Sequence, residues 1–215
     1  MTDRNATAGS TRREELRSQA LAQLQEFEVL MRNGHFDFGN GFHGRMYLNP
    51  HQLFRYPSTI WRLGQDLLDV LPGELLEQTD VVAGPVMGGA LLAHTLAGLL
   101  DGRRALTHPP CSFAPFTRLE DQDLGLRGFY ARQMSGRRVL LADDVRNTGK
   151  TFEACARVVR EAGGTVLATV EICDRLEAVA GAGAPNYALV EYKAPENYPA
   201  SDCPMCKAGE PITSF

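Results

Sequence analysis

The spacing of apolar residues differs between the first part of the chain and the part that begins at residue 80. Over residues 16–31 they return every three or four positions, which predicts an amphipathic helix. Thr11 and Glu14 form a capping-box pair in front of this helix, and Asn33-Gly34 ends it. We expect residues 1–10, which are mostly polar and precede the cap, to be disordered.

The segments that follow predict a small β element and a second helix. Residues 34–49 contain several glycines and aromatic residues, which predicts a β-hairpin or two short strands. Residues 58–70 predict a helix that ends at Leu71-Pro72.

From residue 80 onward, short apolar runs alternate with helical patterns. The runs that predict strands are 81–83, 138–142, 165–173 and 187–192. Because these strands are apolar on both faces and are separated by helices, they predict a parallel sheet buried between two layers of helices. The expected fold class is α/β, a three-layer fold with a parallel central sheet flanked by helices. Residues 109–137 show no strong period, so they form either a functional loop or an element with a weak pattern.

Composition narrows the class of protein. A chain of 215 residues with 44% hydrophobic residues can bury one sizeable core, so we expect a single domain over residues 11–215. A net charge of -4 argues against a dedicated nucleic-acid binder, which would have a basic surface. The N-terminal segment lacks the apolar centre of a secretion signal, and the five cysteines are unevenly spaced. We therefore expect a cytoplasmic protein with reduced cysteines.

One long apolar run has the length of a membrane span. Residues 81–100 contain no Asp, Glu, Lys or Arg and could cross a bilayer. Gly84-Pro85 and Gly88-Gly89 interrupt the run, which favours a buried strand, a turn and a helix. We expect no membrane association.

The sequence LLADDVRNTGKTF, residues 140–152, places two carboxylates in front of a Gly-Lys-Thr. It is not a P-loop, because that motif requires glycine where this chain has Asp144. A strand followed by a loop and a helix would still direct the backbone amides of residues 147–151 towards a phosphate, assisted by the Thr148 and Thr151 hydroxyls.

Asp143 and Asp144 require a partner other than phosphate. Carboxylates accept hydrogen bonds from vicinal hydroxyls, such as the 2- and 3-hydroxyls of a ribose. A ligand with a phosphate at one end and a diol in the middle satisfies both halves of the motif, which describes ribose 5-phosphate. The simpler alternative is that the two aspartates form a solvated strand end and a helix cap, since acidic residues are common near helix N-termini.

Residues 139–151 resemble the phosphoribosyl pyrophosphate (PRPP) signature of type I phosphoribosyltransferases. The similarity continues in segments that occur in the order found in orotate phosphoribosyltransferases: GHFDFGNGFHGRMYLN, VVAGPVMGGALLAHTLA, LGLRGFY, VLLADDVRNTGKTF, EICDR and CPMCKAGEPI. It covers most of the chain from Gly34 onward. Purine-using relatives lack the hairpin and the tail, so the resemblance implies orotate as the base.

The resemblance implies a parallel sheet flanked by helices, with a small hood formed by residues 34–49 and the C-terminal tail. It implies a homodimer that shares a mobile loop across its interface. The implied reaction transfers ribose 5-phosphate from PRPP to orotate, giving orotidine 5'-monophosphate and pyrophosphate in pyrimidine synthesis. Mg²⁺ is implied as a cofactor bound through PRPP rather than held mainly by protein side chains.

The resemblance also assigns roles to individual residues. The implied catalytic groups are Asp143, Asp144 and Arg118. The implied PRPP-binding residues are Asp143, Asp144, Val145, Arg146, Asn147, Thr148, Gly149, Lys150 and Thr151. The implied pyrophosphate turn is Pro85, Val86, Met87 and Gly88, and the implied base contacts are Asn147, Arg175, Tyr47 and Leu48. Tight packing between strand and helix would also explain the glycines of the turn, and a surface ion pair would also explain Arg175.

Several positions depart from the family pattern. Lysines that the family commonly or sometimes has are replaced here by Gly39, Gly88, Leu119 and Gln122. Conversely, Arg146 and Lys150 add positive charge to the loop that would bind the ribose phosphate. We hypothesise that Arg146 or Lys150 partly replaces the missing charge.

Two alternatives to an orotate enzyme stay open. The first is a phosphoribosyltransferase for another nucleobase, against which Arg175 argues because orotate offers a carboxylate to an arginine. The second is a non-catalytic regulator that binds PRPP or a nucleotide, which the missing loop lysines favour. The acidic net charge argues against a regulator that binds DNA.

Cys203 and Cys206 form a Cys-x-x-Cys pair, which is half of a structural zinc site. The histidines that could complete it, His35, His43 and His51, lie at the opposite end of the chain. The sequence therefore favours a packed tail or an incidental reduced pair. A metal shared across a dimer is the alternative.

Overall fold

The computed structural model describes residues 3–38, 41–119, 124–177, 180–193 and 197–214. The first part of the chain contains α1 (Asp3–Glu26), β1 (Leu30–Asp37), β2 (Phe42–Leu48), α2 (Pro57–Val70), α3 (Gly73–Gln78), β3 (Val81–Pro85) and α4 (Gly88–Arg103). The remainder contains β4 (Ser112–Arg118), β5 (Leu124–Gly125), α5 (Gly128–Met134), β6 (Arg138–Arg146), α6 (Lys150–Glu161), β7 (Thr165–Asp174), β8 (Asn186–Glu191), β9 (Asn197–Pro199) and α7 (Pro204–Lys207). Short 3-10 turns cover Pro50–Arg55 and Ala200–Asp202.

Within the described residues, the central sheet has six strands in the order β5-β4-β3-β6-β7-β8. From β4 to β8, neighbouring strands in this order are parallel. The short edge strand β5 is antiparallel to β4. The prediction of an α/β fold with a parallel central sheet is confirmed.

Alternate residues of β6 enter two different cores. Leu140 and Ala142 pack in the core that contains the buried faces of α2 and α4. Val139 and Leu141 pack in the core that contains the buried face of α6. Helices therefore cover both faces of the sheet, which is why the strands are apolar at every position and not only at alternate ones. Each of the buried Val and Leu side chains contributes about 1.5–3 kcal/mol through burial.

A second, smaller sheet lies outside the central one. β1 and β2 form an antiparallel hairpin, and β9 pairs with β2 as a third strand. The C-terminal tail returns to this hairpin through a bridge between Phe36 and Thr213. We call β1, β2, β9 and residues 200–214 the hood.

The first helix differs from the prediction at both ends. It begins at Asp3, not at the capping box of Thr11, so residues 3–10 are helical and not disordered. Alanines at positions 6 and 8 favour the helix, and this segment contains no proline that would stop it. The helix ends at Glu26, because the residues that follow pair as strand β1.

Residues 109–137 contain regular structure that their pattern did not predict. They form strand β4, the two residues of β5 and helix α5. In β4, Ala114 and Phe116 are buried, but Pro115 lies between them and weakens the strand pattern. The part of this segment at 120–123 lies outside the described residues.

The apolar run at residues 81–100 forms strand β3, a turn and most of helix α4, as predicted. None of the described helices combines the length and the apolar character needed to cross a membrane.

Candidate active site

Asp143 and Asp144 lie near the carboxyl end of β6, which runs between β3 and β7 in the middle of the sheet. Ligands of open α/β sheets bind outside the carboxyl ends of the strands. The backbone N–H of Asp144 donates to Oδ1 of Asp143 at 2.9 Å, and that of Val145 donates to Oδ1 of Asp144 at 2.7 Å. Asp143 is only 9% exposed, which does not fit a solvated strand end.

The electrostatics of this pair favour a ligand that brings donors or positive charge. Burial raises the pKa of Asp143 well above its ordinary value, and the adjacent charge of Asp144 raises it further. Burial of two neighbouring carboxylates costs free energy unless hydrogen-bond donors or a cation face them.

The turn of residues 85–88 approaches the two aspartates closely. A Cβ atom on Gly88 would overlap Oδ2 of Asp144, and a Cβ atom on Gly89 would lie 2.7 Å from Oδ1 of Asp143. Only glycine leaves room for the carboxylates at these two positions. The glycines thus serve the packing of the turn and at the same time keep it beside the acidic pair.

The loop after β6 leads into the N-terminus of α6. Gly149 is the N-cap residue of this helix, and its φ of +82° lies in the left-handed region. A Cβ atom at this position would overlap the carbonyl oxygen of Ala180. The loop surrounds a cavity of about 100 Å³, lined by Asp143, Val145, Arg146, Asn147, Thr148, Gly149, Thr151 and Phe152. The first turn of α6 borders this cavity, where unpaired amides and the helix dipole favour an anion.

A larger cleft of about 340 Å³ adjoins the acidic pair. It is lined by Pro50, Pro85, Val86, Met87, Gly88, Arg118, Leu124, Asp143, Asp144 and Thr151. The cleft and the smaller cavity share Asp143 and Thr151. The structure therefore brings the acidic pair, the 85–88 turn, Arg118 and the start of α6 into one continuous site.

The two added cations of the loop are placed differently from the hypothesis. Nη1 of Arg146 donates to Oδ2 of Asp174 at 2.8 Å, and their side chains are 16% and 6% exposed. Lys150 is exposed, and neither cation lines the cleft beside the turn. This geometry favours a structural role for Arg146 over replacement of the missing loop charge. Gly39 and Gln122 lie outside the described residues.

Two of the predicted base-contact residues, Asn147 and Arg175, lie together. Nη1 of Arg175 donates to Oδ1 of Asn147 at 3.2 Å, and Nη2 donates to Oε1 of Glu177 at 3.0 Å. Nε of Arg175 is buried and has no hydrogen-bond partner within the described part of the chain. The Nε–H is therefore an unsatisfied buried donor that an acceptor on a ligand can pair with.

The other two base-contact residues are on β2. The ring of Tyr47 lies in the hood, 6.1 Å from the rings of Phe36 and Phe38. Leu48 packs against the main core. Tyr47 is therefore part of an aromatic cluster in the hood.

A buried polar group behind the acidic pair was missed by sequence reasoning. Glu171 pairs in register with Asp143 and is fully buried. Its Oε1 accepts a hydrogen bond from Nδ2 of Asn186 at 2.8 Å, and burial raises the pKa of Glu171 to about 8. A single glutamate within the apolar run of β7 was the available signal.

The sequence favoured a packed tail or an incidental pair because the histidines lie at the opposite end of the chain, but the structure brings two of them, His35 and His43, beside Cys203 and Cys206. Sγ of Cys203 and Sγ of Cys206 each lie 3.6 Å from Nε2 of His35. Sγ of Cys206 also lies 3.3 Å from Nδ1 of His43. Separation along the chain was misleading because the hairpin and the tail are both parts of the hood.

The chain has clear relatives among characterised proteins, although no profile of a protein family matches it. It is 33% identical over 192 residues to the orotate phosphoribosyltransferase of Caldanaerobacter subterraneus, which covers 88% of this chain and 93% of that protein. It is also 33% identical over 196 residues to the orotate phosphoribosyltransferase of Erythrobacter litoralis, which covers 91% of this chain and 94% of that protein.

Solved structures share the fold. Orotate phosphoribosyltransferase from Aeropyrum pernix superimposes with a TM-score of 0.61 at 23% identity, over 80% of this chain and 93% of that one. Adenine phosphoribosyltransferase from Thermoanaerobacter pseudethanolicus superimposes with a TM-score of 0.54 at 19% identity, over 79% of this chain and 99% of that one. Together with the two relatives at 33% identity, which are covered almost completely, this shows that the chain belongs to the orotate phosphoribosyltransferase family.

Proposed function

We propose that the protein transfers ribose 5-phosphate from PRPP to orotate, giving orotidine 5'-monophosphate and pyrophosphate. The observation that carries this proposal is the pair of adjoining cavities that share Asp143 and Thr151. One cavity offers helix amides to a phosphate, the other offers a glycine turn and an arginine to a diphosphate, and the acidic pair lies between them. PRPP has its phosphate, diol and diphosphate in the same order.

The smaller cavity is the proposed site of the 5-phosphate. Residues 147–151 surround it with backbone amides at the N-terminus of α6, where the helix dipole favours negative charge. The hydroxyls of Thr148 and Thr151 add donors. Asp143 and Asp144 then accept hydrogen bonds from the ribose hydroxyls, which relieves the repulsion between the two carboxylates.

The cleft is the proposed site of the leaving group. Breaking the bond at the anomeric carbon leaves cationic charge on the sugar and anionic charge on the diphosphate. Arg118 lines the cleft and supplies a cation for the diphosphate. The backbone amides of Met87 and Gly88 supply donors, since Pro85 has no N–H and that of Val86 donates to the carbonyl oxygen of Phe116. Holding both reactants in place contributes the remaining part of catalysis.

Mg²⁺ is the proposed cofactor, and the chemistry of the site fits it. Mg²⁺ prefers oxygen ligands and commonly binds through substrate phosphates with few protein carboxylates. Asp143 and Asp144 are the carboxylates that would face the ion across the ribose hydroxyls. When bound, Mg²⁺ neutralises negative charge on the diphosphate.

Arg175 is the proposed determinant of the base. A buried guanidinium with an unpaired Nε–H costs free energy until an acceptor arrives, and orotate carries a carboxylate that purines and uracil lack. Asn147, which already contacts Arg175, can donate its amide to the ring. We place Tyr47 and Leu48 on the opposite wall, in the hood.

Pyrophosphate release from PRPP and Mg²⁺ with orotate, uracil, adenine or hypoxanthine tests this proposal. Release that depends on orotate supports it, whereas release with a purine alone would assign a different base. Tight binding of PRPP without release would favour the second candidate, a non-catalytic PRPP-binding regulator. Leu119, which replaces a lysine common in the family loop, is the observation that favours this second candidate.

Two further features belong to the proposal. We propose a homodimer, in which the segment around Leu119 approaches the neighbouring active site. We also propose a cytoplasmic location, because the five cysteines are all unpaired and a reducing compartment keeps them so.

A further inference from the structure

Four side chains in the hood have the composition of a structural zinc site. They are His35, His43, Cys203 and Cys206, and one ligand atom from each lies within 4.8 Å of all the others. We propose that these four residues bind a Zn²⁺ ion that joins the N-terminal hairpin to the C-terminal tail. This site is separate from the two cavities of the proposed active site, since none of the four residues lines either cavity.

The distances between the side chains match tetrahedral coordination. A zinc ion with bonds of about 2.05 Å to nitrogen and about 2.3 Å to sulfur separates its ligands by roughly 3.3 Å for two nitrogens and roughly 3.5 Å for nitrogen and sulfur. Nε2 of His35 and Nδ1 of His43 are 3.1 Å apart. Three of the four nitrogen–sulfur distances are 3.6, 3.6 and 3.3 Å, and the fourth, between Cys203 and His43, is within 4.8 Å.

The fold brings the two pairs together from opposite ends of the chain. Asp37 is in register with His43, and the pairing is irregular between Arg32 and Phe36, where His35 lies. His35 and His43 meet within the hairpin, with Nε2 of His35 3.1 Å from Nδ1 of His43. β9 pairs with β2, with Tyr198 opposite His43. A 3-10 turn then leads from β9 to Cys203 and α7, which places the Cys-x-x-Cys beside the two imidazoles.

The orientation of the rings suits metal binding. Nδ1 of His35 lies 3.0 Å from the backbone carbonyl oxygen of Glu210, which can only accept a hydrogen bond. The proton of neutral His35 therefore sits on Nδ1, and the lone pair on Nε2 faces the cluster. Nε2 of His43 faces the carboxylate of Asp37 at 3.9 Å, which leaves Nδ1 directed at the same centre. With the proton of His43 on Nε2, both imidazoles direct a lone pair at the same centre, and a shared cation binds both.

Burial distinguishes a closed structural site from an open catalytic one. His35, His43 and Cys203 are buried, and Cys206 forms the outer side of the cluster. Four protein ligands leave no position for a substrate or a water molecule. A bidentate ion pair between Arg45 and Glu210, with N–O distances of 2.8 and 3.0 Å, joins the same two parts of the hood. The ion thus completes a set of contacts that fix the tail on the strand that carries Tyr47.

Metal content of the untagged full-length chain, purified with a reductant and without chelator, tests the proposal. We expect about one equivalent of zinc per chain. The variants Cys206→Ser and His43→Ala should lose most of it. Cys111→Ser is the matched control, because Cys111 is buried in the main core away from the cluster, and it should keep its zinc.

Zinc that persists in both cluster variants would overturn the proposal, as would a disulfide between Cys203 and Cys206 in the protein as isolated. If the variants do not fold, cobalt(II) added to the metal-free wild-type chain decides the question. We expect the intense visible absorption of tetrahedral cobalt with thiolate ligands. Failure to bind both zinc and cobalt would refute the site. These measurements do not depend on catalysis, so they stand or fall separately from the proposed function.

Discussion

Replacement of Gly88 by alanine tests the contact between the turn and the acidic pair. The new Cβ atom would overlap Oδ2 of Asp144 and would lie 3.0 Å from Cε2 of Phe54. Because the neighbouring backbone is packed, the Asp144 carboxylate is the group that must move. It then loses a hydrogen bond to the ribose, and a hydrogen bond to a charged group contributes about 1.5–3 kcal/mol. We therefore expect kcat/KM for PRPP to fall roughly 10- to 150-fold, at about 1.4 kcal/mol per tenfold change.

The assay is steady-state pyrophosphate release with PRPP varied at saturating orotate, together with thermal unfolding of each variant. Gly98→Ala is the matched control, since Gly98 is an exposed residue of α4 and its Cβ atom would meet no atom within 4 Å. It should keep full activity and gain roughly 0.5–1 kcal/mol of stability, because alanine is the better helix former.

A double-mutant cycle then identifies the group that the new methyl displaces. In an Asp144→Ala background the obstructed carboxylate is gone, so Gly88→Ala should cause little further loss. Wild-type kcat/KM in Gly88→Ala, or the same loss with and without Asp144, would refute the reasoning.

Three other variants test the surrounding charges. Glu171→Gln should abolish a pH dependence of the free energy of unfolding. Burial raises the pKa of Glu171 to about 8 from an ordinary 4.5, so the free energy of unfolding of the wild type should fall by roughly 3–5 kcal/mol as pH rises between these values. Urea unfolding of the variant should show no such fall. Arg175→Gln should raise KM for orotate at least roughly tenfold and leave KM for PRPP unchanged, since it removes a charged hydrogen bond to the base alone; an equal rise in both constants would contradict this role. Arg146→Ala should destabilise the chain by about 3 kcal/mol, because it removes the cationic partner of buried Asp174. Pyrophosphate affinity, measured by calorimetry, should not change. Weakened affinity with intact stability would instead support the hypothesis that Arg146 replaces the missing loop charge.

The local pattern of apolar and polar residues predicted the strands of the central sheet well. The runs at 138–142 and 165–173 are apolar at consecutive positions because helices cover both faces of the sheet, and the structure shows strands there. The order of carboxylates, small residues and hydroxyls at the end of β6 and after it also predicts a site for a sugar phosphate, and the structure places these residues around two adjoining cavities. Strand ends and helix N-termini depend on residues that are close in the sequence, so the local sequence pattern can predict them.

Contacts between distant segments could not be predicted in this way. His35 and Cys203 are 168 positions apart. The periodicity of apolar residues gives no information about the strand register that brings them together. The ion pair of Arg146 with Asp174 depends on the pairing of β6 with β7. β4 was missed for a different reason, since Pro115 interrupts its pattern while β3 supplies the pairing that stabilises it.

A crystal structure of the protein with ribose 5-phosphate bound tests the central claim most directly. The account predicts that the ribose hydroxyls donate to the carboxylates of Asp143 and Asp144, and that the phosphate lies against the amides of residues 147–151. A sugar phosphate bound elsewhere, or bound here with both aspartates turned away from its hydroxyls, would contradict it.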